Sequence, residues 1–391
     1  MESHMLDFQG STTQPLALGF LGGAQNSAVG YAHFVASRMD NRWQLAAGCF
    51  STHTDRNHAS AASYGVSPER VYDDWRTLLL REKGKLDAVL VVTPTPLHRE
   101  MVGACLEAGI PVICEKALAC NALEITELLE LKKKHKGFLG VTFNYSGYPM
   151  MRELRAKIRR GDLGRILHFQ VEMPQEGFVR TSPQGVQPKP QDWRLHDGTV
   201  PTLGLDLAVH LHHSLYYLTG ARPVSVVADH ASEGWFKGII DDFGCLAHYE
   251  HGIRGQFWFS KSSLGHRNGL RLRIYGTQAS AEWFQANPEE ILVSHIDGRR
   301  EILDRAGDAA IAGMQRYNRF KSGHPAGFIE AFANLYTDLA DALIEFRREG
   351  RWQGEAEYGA QIAHEGLLLL EAMEKSCQSR AWEPIERNAD Q

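Results

Sequence analysis

Apolar and polar positions in the first third of the chain alternate between strand-like and helix-like periods. Residues 15–20 are largely apolar and run into GFLGGAQNSAVG, after which AVGYAHFVASRM (28–39) carries a helical pattern. Residues 43–50 predict a second strand, 57–64 a helix, and Val71-Tyr72-Asp73 the start of a short element. LDAVLVVT (86–93) is a continuous apolar run stopped by Pro94 and Pro96. Such a run suits a parallel strand buried on both faces. A helix over 97–108, a short strand over 109–114, a helix over 122–135 and a strand over 138–144 complete the series. Strands alternating with helices predict a doubly wound α/β unit.

The rhythm changes after Tyr145. MMRELRAKIRRGDLG predicts a helix ending near Gly161, and 166–173, 223–230, 243–249, 255–259 and 270–276 are strand-like. These predict a C-terminal α/β domain with an open, predominantly antiparallel sheet. LGLDLAVHLHHSLYYL (203–218) predicts a helix, preceded by a Pro- and Gly-rich loop over 174–201. A loop of that length suggests a lid or an oligomer contact. Two helical patterns, 326–348 and 355–376, form the tail and are expected to pack on the sheet or the domain boundary. The expected division is a dinucleotide-binding domain over 14–143 and a substrate-binding and oligomerisation domain over 144–391, with packing of the C-terminal helices against the first domain as one arrangement. The first twelve residues are polar and unpatterned.

Composition narrows the class. A net charge of −5 over 391 residues gives no support to a general nucleic-acid binder. No apolar run reaches membrane-spanning length. The six cysteines, at 49, 105, 114, 120, 245 and 377, form no close CxxC pair. A reduced, cytoplasmic setting is therefore expected, without a disulfide framework or structural zinc.

The candidate chemistry lies at strand ends. Gly22 and Gly23 permit a sharp turn and close approach to phosphate, and Asn26 tolerates a left-handed backbone. The turn is not a clean GxGxxG, because counting from Gly22 puts Ala24 and Ser27 at the second and third glycine positions. Its place between strand and helix still points to a dinucleotide. The second strand lacks the acid that usually holds an NAD ribose. Ser51 and Arg56 instead suit a 2′-phosphate, or Ser51 alone an unmodified ribose, so NAD and NADP both stay open, with a lean to NAD. Thr93, Pro94 and His98 form either a cofactor-facing rim or a simple strand stop with His98 packed in the helix. Glu115-Lys116 also follows a strand, where a lysine favours deprotonation of a hydroxyl; its alternative is a solvent-facing side chain.

Asp206 and His210 sit one helical turn apart and leave the same face. A neutral His210 suits proton abstraction from a hydroxyl, with Asp206 as an orienting group. Asp206, His210 and His213 also raise a metal-site alternative, but hydride chemistry needs no metal and none is expected. Trp193 as a pocket wall, Arg194 as a polar clamp, and Tyr145, Tyr148 and His324 as substrate contacts are candidates, each with a packing or surface alternative. Trp235, Phe236 and the Phe257-Trp258-Phe259 run read as core or interface, not as base-stacking platforms.

With these residues in view, the chain resembles the glucose–fructose oxidoreductase, inositol dehydrogenase and rhizopine-catabolism (Gfo/Idh/MocA) family over 16–380. The GFLGG…VG turn, TPTPLH, ICEKALA, FNYSGYPM, RLRIYGT and GHPAGFIEAFANLY carry the likeness. It implies an N-terminal Rossmann domain, a C-terminal α/β domain with an open sheet, and a homodimer or homotetramer. The family's EKP lysine corresponds to Lys116, with Ala117 replacing the proline; its helix acid corresponds to Asp206 and its catalytic histidine to His210. The glycine-rich lead-in to that helix is replaced by Val200-Pro201-Thr202-Leu203-Gly204. The implied activity is NAD(P)-dependent oxidation of a secondary hydroxyl on a cyclic sugar, glycoside or inositol. A sugar-nucleotide dehydrogenase and a non-catalytic dinucleotide-responsive binding protein are the alternatives.

Overall fold

The computed structural model describes residues 14–386 except 28 and 308; the polar N-terminal dozen lies outside the described residues. Five parallel strands form the first sheet: β1 (Leu16–Gly22), β2 (Trp43–Cys49), β3 (Ala88–Val92), β4 (Val112–Cys114) and β5 (Leu139–Val141), in the order β2-β1-β3-β4-β5. Every residue of β3 is buried, as its unbroken apolar run requires. Helices α1 (Gly30–Arg38), α2 (Thr54–Tyr64), α3 (Trp75–Glu82), α4 (His98–Glu107) and α5 (Ala122–His135) make the crossovers. The short element expected near Val71 leads into α3, whose first turn is capped by Asp74 accepting from the Thr77 N–H at 2.8 Å. The strand order reverses beside β1, so the carboxyl ends of β1 and β3 open a crevice suited to a ligand.

After β5 a short turn (Asn144–Gly147) leads into α6 (Pro149–Arg160). Pro149 opens this helix and Gly161, at φ 85°, closes it. Among the described residues the second sheet has nine strands. They are β6 (Ile166–Pro174), β7 (Pro223–Ala231), β8 (Asp242–Tyr249), β9 (Arg254–Ser260), β10 (Arg271–Gly276), β11 (Ala279–Phe284), β12 (Asn287–His295), β13 (Arg300–Leu303) and β14 (Glu383–Pro384). Only β6 and β9 pair in parallel; the other neighbours are antiparallel. β11, β12 and β13 extend the sheet beyond the strands read from the sequence.

One difference bears on the site. The segment from Leu203 is not one uninterrupted α-helix: Gly204–Ala208 forms a π turn before α7 (Val209–Thr219), and the Val209 N–H donates to the Gly204 carbonyl. Such turns often mark functional positions, because they free backbone groups from the ordinary ladder. The tail helices also cross to the first sheet. α8 (Phe328–Glu349) packs on α1, and the Trp43 Nε1–H donates to the Tyr336 carbonyl at 2.8 Å. After the one-turn α9 (Glu355–Tyr358), α10 (Ala360–Ser379) lies on α5 and β7: its Glu371 accepts from the Ala122 N–H and its Ser376 from the Ala228 N–H. No helix among the described residues is long and apolar enough to cross a membrane.

Candidate active site

A cleft of about 460 Å³ runs along the carboxyl ends of β1, β2 and β3. Gly22 and Gly23, at φ 85° and 74°, turn the chain there. A Cβ on Gly22 would sit 2.8 Å from the Val92 carbonyl oxygen, and one on Gly30 2.3 Å from that of Gly23. Gly30 is therefore the close-approach glycine of the loop, three positions beyond the Ser27 that the sequence count suggested. Ser27 instead accepts from the Gly30 N–H at 3.2 Å and so steadies the start of α1. The cradle that these glycines leave open fits a dinucleotide pyrophosphate against a helix N-terminus.

Asn26, Ser51, Arg56, Thr93, Pro94, Glu115 and Lys116 line this cleft together with Gly22, Gly23 and Ser27. His98 does not. It is buried, with Nδ1 2.7 Å from the Ala117 carbonyl and Nε2 2.8 Å from the Thr93 carbonyl. The ring ties the β3 and β4 loops together from behind, which corrects its reading as a direct cofactor contact. Burial holds its pKa below that of an ordinary histidine despite the two carbonyls.

A second, smaller chamber of about 140 Å³ adjoins the cleft. Val29, Glu115, Lys116 and Asp206 line both spaces, so a group in the cleft and one in the chamber would meet at these residues. His210 and Tyr145 line the chamber only, their rings edge to face with centroids 4.7 Å apart. Tyr148 lies outside it, packed on Trp283 at 5.2 Å. Trp193 and Arg194 line the cleft, not the chamber. His324 lines neither; it is exposed and stands edge-on to Phe320 at 4.6 Å. Its backbone carbonyl accepts from Arg305 at 2.8 Å.

Asp206 is the electrostatic centre. Lys116 Nζ donates to its backbone carbonyl at 2.8 Å and to Oδ1 at 3.1 Å. Lys261 Nζ donates to Oδ2 at 2.6 Å, and Arg194 pairs with the same oxygen. Burial alone would raise the Asp206 pKa, but Lys116, Lys261 and Arg194 outweigh it and hold the carboxyl well below the usual range. Arg194 is thus spent on the carboxylate and lies 4.6 Å over the Trp193 ring, not poised as an independent substrate clamp. Lys261 escaped the sequence reading. Its signal was a lysine directly after the apolar strand FWFS, the same context that singled out Lys116.

Burial and the nearby Lys116 charge push the His210 pKa well below 6.5, against the pull of Asp206. Its ring is neutral at neutral pH, the form a general base needs, although burial opposes the positive charge that protonation brings. His213 points away: it stacks on Phe143 at 4.0 Å, and its Nε2 bonds the Glu357 carbonyl at 2.8 Å. That separates it from Asp206 and His210, and no cluster able to hold a metal ion occurs among the described residues. Behind Lys116, Glu115 accepts from His33 Nε2 at 3.1 Å and from Thr142. The other ring nitrogen of His33, Nδ1, lies 2.7 Å from the Tyr336 hydroxyl. Burial opposes ionisation of Glu115, but His33, Lys116 and Thr142 hold its pKa below the usual value. The Lys116–Ala117 peptide is cis.

Residues 19–143 match the family model described as an oxidoreductase family with an NAD-binding Rossmann fold, and 151–282 match the Gfo/Idh/MocA C-terminal domain. The oxidoreductase YfiI of Bacillus subtilis is 31% identical over 360 residues, 88% of this chain and 90% of that protein. Myo-inositol 2-dehydrogenase of Thermotoga maritima is 25% identical over 331 residues, covering 83% and 86% of the two chains. An inositol dehydrogenase homologue from Azotobacter vinelandii, solved with NADH and myo-inositol, superposes with a TM-score of 0.85 at 27% identity, covering 95% of this chain and 98% of that one. The chain belongs to the Gfo/Idh/MocA family of oxidoreductases, with an NAD-binding Rossmann fold.

Proposed function

We propose that the chain reversibly oxidises a secondary ring hydroxyl of a neutral cyclic polyol or sugar, with NAD as the preferred cofactor. One observation carries the reading: a small chamber holding a neutral His210 adjoins the cofactor cleft at Lys116 and Asp206. NAD, when bound, supplies the hydride acceptor. Gly22, Gly23 and Gly30 make room for its pyrophosphate, and Ser51 at the end of β2 would meet its adenosine ribose.

His210 takes the hydroxyl proton as hydride leaves the same carbon, so that the alcohol becomes a ketone. Lys116 stabilises the oxygen as negative charge builds on it. Asp206 holds the Lys116 ammonium through two acceptors and so fixes where that charge is met. The chamber suits one uncharged ring. Lys116 is the only lysine or arginine on its wall among the described residues, and it is already paired with Asp206. A phosphate or carboxylate would also meet Glu115 and Asp206 there. This leaves the sugar-nucleotide alternative with less support. The inositol and sugar dehydrogenases among the relatives favour the polyol.

The same reading keeps a cytoplasmic enzyme, consistent with six free cysteines, and a homodimer or homotetramer. The broad sheet supports assembly, since Leu246 on β8 is 52% exposed and Trp258 on β9 lies beside it on the same open depression.

The test is an assay of the purified protein with NAD and NADP against inositols, free sugars, glycosides and sugar nucleotides, read by the absorbance of reduced nicotinamide. His210→Ala is expected to bind cofactor normally and to lose at least about a hundred-fold in turnover. Near-native turnover in that variant removes His210 from the mechanism. Silence across the panel with normal cofactor binding favours the binding-protein alternative.

A further inference from the structure

One polar group on the chamber wall is left without a partner among the described residues. Asn144 lines the chamber, is 2% exposed, and its amide nitrogen makes no hydrogen bond to any of them. Buried amide groups are costly when unpaired, and the exceptions call for a specific cause.

The surrounding structure gives this amide little freedom to escape. Asn144 begins the tight turn after Phe143, whose ring is stacked on His213. The Ser146 hydroxyl donates to the Phe143 carbonyl at 2.7 Å, and Arg152 donates to the Ser146 carbonyl at 3.0 Å. Gly147 is pressed so closely on α8 that a Cβ there would lie 1.9 Å from the Ala331 carbonyl oxygen. Asn334 then donates to the Gly147 carbonyl at 2.8 Å. The turn is pinned at Phe143, Ser146 and Gly147, and Asn144 stands between them with its donor unpaired.

Two further carboxamides line the same chamber. Gln175 Nε2 donates to Asn268 Oδ1 at 2.8 Å, and Asn268 adopts φ 86°, a left-handed conformation that asparagine tolerates better than most residues. They reach the chamber from the end of β6 and from the loop before β10. The wall therefore carries amides from separate elements around the Lys116–His210 pair.

We propose that Asn144 is a specificity-determining residue. Its amide donates to the oxygen of a second hydroxyl on the ring whose first hydroxyl is oxidised between Lys116 and His210, and the Gln175–Asn268 pair faces the ring's remaining hydroxyls. The inference rests on the oxidation proposed above and adds which side chain reads a second hydroxyl of the ring. A neutral amide discriminates through the hydroxyl it pairs with, because an analogue lacking that hydroxyl leaves the donor buried and unpaired.

The experiment compares wild type with Asn144→Leu, which keeps similar bulk and removes the polar atoms. The probes are myo-inositol, levoglucosan and the monodeoxy analogues of each. Turnover is measured with NAD, and probe binding to the protein loaded with NADH is measured by calorimetry. Wild type should favour the parent over one particular deoxy analogue by about ten-fold or more. Asn144→Leu should weaken the parent by a similar factor, leave that one analogue within about two-fold, and unfold at no lower a temperature than wild type. Equal losses on the parent and every analogue, or a lowered unfolding temperature with lost cofactor binding, would overturn the proposal in favour of a structural role. If wild type oxidises none of the probes, the oxidation reading falls first. Calorimetry then judges Asn144 separately, and identical probe binding, or none, in the two proteins overturns its role.

Discussion

The ammonium of Lys261 lies 2.6 Å from Asp206 Oδ2, opposite the Lys116 ammonium that sits 3.1 Å from Oδ1. One carboxylate thus joins a lysine from the first sheet to a lysine from the second. Lys261 leaves the end of β9, is 5% exposed, and has its ammonium 5.0 Å from the Phe178 ring centre. Burial pulls its pKa down, against Asp206, while Arg194 and Lys116 lower it further. It lines neither the cleft nor the chamber, so in the proposed reaction its effect would run through Asp206.

Replacing Lys261 with Met should lower kcat by about ten- to a hundred-fold, the loss expected for one buried charge-assisted hydrogen bond. The dissociation constant for NADH should not change. Steady-state kinetics and a fluorescence titration separate the two effects, and an unchanged kcat would show that Lys116 and Arg194 suffice to hold Asp206.

The glycine loop makes a sharper steric demand. Gly30→Ala places a carbon 2.3 Å from the Gly23 carbonyl oxygen, and the obstruction is backbone. Overpacking of this kind costs about 1–3 kcal/mol. Cofactor affinity should drop with stability, because the turn that receives the pyrophosphate must open. Normal NADH binding with a normal unfolding temperature would show that the loop can shift without cost.

At the end of β2, Ser51 stands where many NAD enzymes place an acid, and Arg56 lines the same part of the cleft. Ser51→Asp should leave NAD usable and cut kcat/KM for NADP by at least about a hundred-fold, since like charges brought together cost several kcal/mol. A wild-type protein that uses the two cofactors equally makes the change easiest to read. No change in their ratio would place the ribose away from Ser51.

Acid should destabilise the fold through its buried histidines. Burial lowers the His213 pKa to about 3, while an unfolded histidine titrates near 6.5. Between those values the unfolded chain binds the extra proton, so stability falls as pH drops through that window. His213→Phe keeps a ring against Phe143 but cannot titrate. Thermal melts from pH 7 to about 4 should show a shallower decline for this variant. It should also be less stable at neutral pH by about 1 kcal/mol for the lost bond to Glu357. A decline as steep as that of wild type would assign the acid sensitivity to other groups.

The sequence by itself determined the alternating elements of the first sheet, because continuous apolar runs and helical periods are local signals that burial then satisfies. It also singled out Lys116, Asp206 and His210, since each stands at a strand end or on a helix where its chemistry is unusual. Tertiary structure decided which residues share a site. Lys261 joins Asp206 only because β9 lies beside β6 and ends near the π turn at Gly204–Ala208, a pairing between segments far apart in the chain. The direction of a side chain was equally hidden: His98 faces two carbonyls behind the cleft, and His324 lies on an exposed loop. Arg194 turned from a substrate clamp into a partner for Asp206 because the long loop folds back over the cleft. Periodicity reports which face of an element is buried. It carries no information about which distant charge waits there, and in this protein the arrangement of three cations around one carboxylate depends on that.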